Sequence, residues 1–151
     1  MKKENLIPEG FVIDKANSTD TKLVYIKKVL KITDRVKTLK DAITVCKEDS
    51  IDISDIIFHD SDTVDEKAYK ELKIAVRALN QKWVANLKDK NQRKWYVYYN
   101  GSGFGVSYAD FDYWFTHTYC GSRLCFKTEA LALSTATKHI EIFKEFLTIK
   151  K

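Results

Sequence analysis

Tyr96 and Tyr98, two residues apart, and Arg123, carried on a Gly121-Ser122-Arg123 run, are the side chains of this chain best suited to holding something from outside. Phenol rings stack on nucleobases, a guanidinium stacks and also pairs with phosphate, and further cations track a polyanionic backbone. Such cations lead into the tyrosines at Lys88, Lys90, Arg93 and Lys94, and recur earlier at Lys70, Lys73 and Arg77. The pattern points to a non-enzymatic module for single-stranded nucleic acid, in which each stacked base contributes about 1–3 kcal/mol. Tyrosine, tryptophan and arginine are also what protein interfaces favour. A protein partner therefore stands almost level with nucleic acid.

Other chemistries find less support. His117, Cys120, Cys125 and His139 are donors of the kind that build tetrahedral zinc sites, but the H-x2-C-x4-C spacing matches no strong zinc pattern. No metal and no cofactor are expected. A reactive cysteine needs a base and a field that lowers its pKa, and the sequence supplies neither at a recognisable spacing. There is no HExxH or GxSxG motif. The run Gly101-Ser102-Gly103-Phe104-Gly105 lacks the Gly-Lys-Ser/Thr ending of a phosphate loop and reads as a turn. The chain is read as a binding protein rather than an enzyme.

A length of 151 residues is close to that of one domain, and 44% hydrophobic residues with 13% aromatics describe a folded chain. Residues 1–151 are expected to form a single domain, with 1–31 as an N-terminal hairpin or arm. The net charge of +5 is unevenly spread. Residues 22–47 carry 8 basic and 2 acidic side chains, 48–66 carry 8 acidic and none basic, and 67–94 carry 9 basic and 2 acidic. The acidic block is expected to fold back across a basic one and neutralise it. Three cysteines without a CxxC pair suit a reducing compartment. No run is long and apolar enough for a membrane span or a signal peptide. The expected location is the cytoplasm, or an assembly formed there, and a homo-oligomer stays open.

The elements that must position these side chains follow from periodicity and caps. Residues 11–14 and 22–29 are β-like runs around a turn-forming Ala16-Asn17-Ser18-Thr19-Asp20. Thr38 with Asp41, and Thr63 with Glu66, have capping-box spacing. They announce a helix over 38–47 and a longer one in which Ala68, Leu72, Ala75, Val76, Leu79 and Trp83 share a face. If Tyr99 pairs with Phe104, Val97 falls opposite Val106 and Trp95 opposite Tyr108, with Tyr96 and Tyr98 on the other side. Residues 111–119 and 123–126 read as further strands, the latter setting Arg123 on the tyrosine side. Thr128 caps a final long helix through Ala132, Ala136, Ile140, Phe143 and Leu147. The fold class expected is α+β: a three- or four-stranded antiparallel sheet over 95–126, covered by a long C-terminal helix, with the preceding helices packed around it.

The succession Leu72-Lys73-Ile74, Ala78-Leu79-Asn80, Trp83, Trp95-Tyr96-Val97-Tyr98-Tyr99, Gly101-Ser102-Gly103-Phe104-Gly105 and Gly121-Ser122-Arg123-Leu124-Cys125-Phe126-Lys127 resembles a family of short uncharacterised proteins of gut Bacteroidales, their phages and mobile elements. The likeness covers roughly residues 32–147. It implies a phage or mobile-element accessory protein in the host cytoplasm or a virion, and brings no substrate, cofactor or catalytic residue with it. A protein partner would then be a virion component, or a host factor or defence system that it antagonises. That family has a proline within the aromatic strand and a valine before Gly-Ser-Arg, where this chain has Val97 and Cys120.

Overall fold

The computed structural model describes residues 7–19, 22–28, 30–86, 88–89, 91–99, 104–109 and 122–148. They fall into two compact units, Met1–Lys31 and Ile32–Lys151. In the first, β1 (Phe11–Ile13) pairs antiparallel with β2 (Tyr25–Lys27), Val12 opposite Ile26. The Asp14 carboxylate accepts the Ala16 N–H at 3.1 Å and the Asn17 amide at 2.7 Å, which starts the turn out of β1. All the buried apolar residues lie in the second unit, from Val36 to Phe143.

That unit opens with the short α1 (Ile32–Arg35), then α2 (Leu39–Glu48) and α3 (Val64–Asn80). Both longer helices begin with closed capping boxes. The Thr38 amide donates to Asp41 at 2.9 Å and the Thr63 amide to Glu66 at 2.8 Å, while each threonine hydroxyl accepts in return. On α3 the expected face is buried at Ala68, Leu72, Ala75, Val76 and Leu79, and so are Ile74 and Ala78 beyond it. A helix buried on more than one side lies inside a core rather than on it. Accordingly α3 packs against α2, against the C-terminal helix α5 (Ile140–Leu147) and against a 3₁₀ turn at Ser122–Leu124.

A hairpin of β3 (Lys94–Tyr99) and β4 (Phe104–Ala109) follows, with Tyr99 opposite Phe104, Val97 opposite Val106 and Trp95 opposite Tyr108. The expected three- or four-stranded sheet is not what forms. The described residues are mostly helical, with five α-helices and two separate two-stranded hairpins. Residues 123–126 do not form a strand: Arg123 and Leu124 are in the 3₁₀ turn, and only Phe126 bridges Trp95, by reciprocal bonds of 3.0 and 2.7 Å. The chain curls into that turn and so meets β3 at one bridge, while Asn80, a buried residue at the end of α3, holds the far side of Phe126. The Asn80 side-chain amide N–H donates to the Cys125 carbonyl at 2.7 Å and its amide oxygen accepts the Lys127 N–H at 2.9 Å. Those two backbone groups, on either side of Phe126, are the ones a continuing sheet would pair on its outer edge. The run 111–119 lies outside the described residues.

The C-terminal helix is also not one piece. It breaks at His139 into α4 (Glu129–Lys138) and α5, with His139 at φ −116°, ψ 25°. No proline or glycine causes this. Thr135 and Thr137 instead return their hydroxyls to the carbonyls of Leu131 and Leu133 at 2.7 and 2.9 Å, a back-bonding that bends helices. The break lets α4 cover the β3–β4 hairpin while α5 turns onto α3. Val97, Leu124, Phe126 and Phe143 meet in the resulting core. No helix among the described residues is long and apolar enough to cross a membrane.

Candidate nucleic-acid interface

The strand β3 is two-sided because its side chains alternate. Val97 is 1% exposed and belongs to the core, with Trp95 packed against it from the same side. Tyr96 and Tyr98 on the other side are half-buried, their rings 6.4 Å apart in an edge-on arrangement at 60°. Each ring is held by its neighbour and keeps part of its surface in water. Such a pair offers a planar ligand apolar contact at little entropic cost, since the rings are already ordered.

The cations are distributed unequally. Lys88, Arg93 and Arg123 are exposed, whereas Lys90 lies outside the described residues. Lys94, by alternation on the tyrosine side, is only 1% exposed. Its ammonium donates to the carbonyls of Asp89 and Gln92 at 2.7 and 2.6 Å, so it ties the preceding loop to the strand instead of facing a phosphate. On α3 the acidic block lies across the basic face. Lys70 contacts both oxygens of Asp62 at 2.6 Å, Lys73 reaches Asp55 at 3.7 Å, and Arg77 holds Asp55 through both guanidinium nitrogens. The Arg77 hydrogen bonds hold the Asp55 carboxyl down at about 2. These three cations are engaged within the molecule.

Arg123 joins Arg77 elsewhere, in a cleft of about 380 Å³ at the C-terminal end of α3. Ile51, Asp52, Val76, Lys82 and Trp83 also face it. A second, more open cleft of about 560 Å³ shares the Asn80–Trp83 wall and adds Arg35, Asp49 and Lys127. Lys82, Arg123 and Lys127 are exposed and form no ion pair among the described residues. Arg35, by contrast, is paired with Glu48 and Asp49. Asp52 is the acid of the first cleft, and its carboxylate is turned onto the Ser54 N–H at 2.9 Å. The end of a helix dipole disfavours an anion by about 0.3–1 kcal/mol, but one charge-assisted hydrogen bond contributes about 1.5–3 kcal/mol. Lys82 and Arg123, against the one carboxylate of Asp52, leave the lining of this cleft with a positive excess.

Both positive-φ residues other than glycine among the described residues face this cleft. Ser50, at φ 52°, ends α2 in a Schellman motif, with the Ile51 N–H on the Cys46 carbonyl at 2.8 Å. Gln81, at φ 56°, ψ −118°, occupies the first central position of a type II′ turn closed by the Trp83 N–H on the Asn80 carbonyl at 3.1 Å. Glycine is the usual residue there, and a side chain costs about 1–3 kcal/mol. This turn takes Trp83 off the apolar face of α3, where its spacing had placed it, and leaves it half-buried in the cleft wall.

Lys82, Trp83, Lys127 and the positioning residue Asn80 were not singled out by sequence as a group. The available signal was an Asn-Gln pair at a helix end, a stop signal that reads most strongly with glycine. Of the zinc candidates, His117 and Cys120 lie outside the described residues. Cys125 is buried, with its thiol pushed up by burial, and His139 is buried at the α4–α5 junction. Comparison with protein-family models, with curated proteins and with solved structures gives no match.

Proposed function

We propose that this protein is a non-enzymatic module for single-stranded nucleic acid, of the accessory kind carried by phages and mobile elements. The observation that supports this reading is the tyrosine pair: Tyr96 and Tyr98 are ordered, partly exposed and adjacent, opposite a buried Val97. Lys88 and Arg93 are exposed on the segment leading into β3, and Arg123 is exposed in the cleft at the end of α3. Lys70, Lys73, Arg77 and Lys94 belong to intramolecular contacts, so the electrostatic share is smaller than the sequence suggests.

A fluorescence-anisotropy titration with single-stranded oligonucleotides tests this. With one to three cations on phosphates, log K falls with log salt at a slope of about −0.7 to −2, since single strands give roughly −0.7 per contact. Tyr96→Ala/Tyr98→Ala weakens binding by about tenfold or more, at about 1–3 kcal/mol per stacked base, and leaves the salt slope unchanged. Absence of binding at low ionic strength defeats the reading. The competing class, a protein partner, is favoured by Ile57, Phe58 and Val64, apolar side chains exposed on and beside the acidic segment.

A further inference from the structure

The geometry points to a second binding site: the cleft at the C-terminal end of α3 takes one phosphorylated nucleoside, its base on Trp83 and its phosphate on Lys82 and Arg123. The cleft is built from two sides. From α3 come Arg77 and the type II′ turn carrying Lys82 and Trp83. Opposite them is Arg123, whose 3₁₀ turn is tied to α3 by the two hydrogen bonds of Asn80.

Its chemistry is mixed in the way a nucleotide is. Ile51, Val76, Val84 and the Trp83 indole give apolar contact, while Lys82 and Arg123 are cations without an ion pair among the described residues. A volume of about 380 Å³ exceeds what a bare phosphate fills and lies in the usual range of small-molecule sites. Gln81 holds a backbone conformation that favours glycine, and strain kept at a cleft is characteristic of ligand sites. The adjoining cleft, with Lys127 on its wall, leaves room for the chain of a longer strand to continue.

The nucleotide has two sources, a free nucleotide or the phosphorylated end of a strand. Only the second rests on the nucleic-acid reading above. Calorimetry of the full chain with adenosine and uridine 5′-monophosphates, the corresponding nucleosides and inorganic phosphate tests the site itself. The nucleotides are expected to bind at least about tenfold more tightly than either fragment. Lys82→Gln and Trp83→Leu are each expected to weaken nucleotide binding by about tenfold, with Lys82→Arg and Trp83→Phe largely restoring it. Tyr96→Ala/Tyr98→Ala leaves nucleotide binding unchanged.

Oligonucleotides with and without a 5′- or 3′-terminal phosphate separate the sources. A Lys82-dependent preference for either phosphorylated end assigns the strand end, and equal binding of all of them beside tight mononucleotide binding assigns the free nucleotide. Failure of both mononucleotides to bind at about millimolar concentration, or binding indifferent to Lys82 and Trp83, overturns the site. Strand binding that depends on Tyr96 and Tyr98 would then survive, so the two failures are distinguishable.

Discussion

The side-chain amide of Asn80 takes the place of a neighbouring strand, satisfying one carbonyl and one N–H on either side of Phe126. Asn80→Ala leaves both groups buried and unpaired, each costing about 1–3 kcal/mol. A fall in stability of about 2 kcal/mol or more is expected by urea denaturation, together with loss of the Arg123 and Lys127 placement. An Asn80→Ala protein as stable as wild type would contradict this account. His139 makes a different prediction. Burial depresses its pKa, Lys138 adds to the effect and Asp41 opposes it, while Nε2 has no hydrogen-bond partner. A pKa lower in the folded than in the unfolded chain means that protonation favours unfolding. Stability is therefore full above about pH 6.5 and falls as the pH drops below it. His139→Met should remove the fall in melting temperature between about pH 7 and 5 that this imidazole causes; Glu71, whose carboxyl pKa burial raises, acts in the opposite sense as the pH falls.

At the scale of elements, the acidic segment acts as a mask on α3. Asp55 sits beside Lys73 and Arg77, and Asp62 beside Lys70. Asp55→Asn/Asp62→Asn should raise affinity for single strands at low salt and steepen the salt slope by as much as about 2, for up to three cations returned to solvent. Affinity unchanged in that variant would place α3 outside the interface. The half-exposed Asp55 pairs contribute about 0–1 kcal/mol, and the larger loss of stability belongs to Asp62, whose side chain is 8% exposed and also accepts the His59 N–H at 2.8 Å. The Asp55 share of that stability is present above about pH 4 and is lost as the pH falls toward its folded pKa of about 2.

This mask was legible in the alternation of charge blocks, as were both capping boxes and the β3–β4 register, because each depends on neighbours in sequence. The C-terminal break was not. Ala132, Ala136, Ile140 and Phe143 keep helical spacing across it, whereas the back-bonding hydroxyls of Thr135 and Thr137 leave no periodic trace. Residues 123–126 alternate as a strand should, but Arg123 and Leu124 curl into a 3₁₀ turn, and the side chain that holds the Cys125 carbonyl is 45 residues away in Asn80. Lys94 alternates with the tyrosines and yet is buried, because the turn before it folds over its ammonium. Of the candidate interface, sequence thus revealed the rings and the masking of α3, and missed the cleft that depends on long-range contact.

For the whole molecule, the core lies entirely within Ile32–Lys151 among the described residues, while Phe11, Val12 and Tyr25 of the N-terminal hairpin remain exposed. Two short paired strands are marginally stable alone. A chain beginning at Ile32 should therefore unfold cooperatively with a melting temperature within a few degrees of the full protein, as followed by circular dichroism. A collapse of that transition would show that residues 1–31 complete the fold.

Asn80 also governs how copies of the protein meet. An open strand edge is a template on which another chain can add itself, and the bridge of Phe126 to β3 would leave such groups open on its far side. By occupying the outward groups of Cys125 and Lys127, the amide closes this edge to strand addition. The same pair of hydrogen bonds that ties this segment to α3 thereby takes the Cys125 carbonyl and the Lys127 N–H out of reach of another chain.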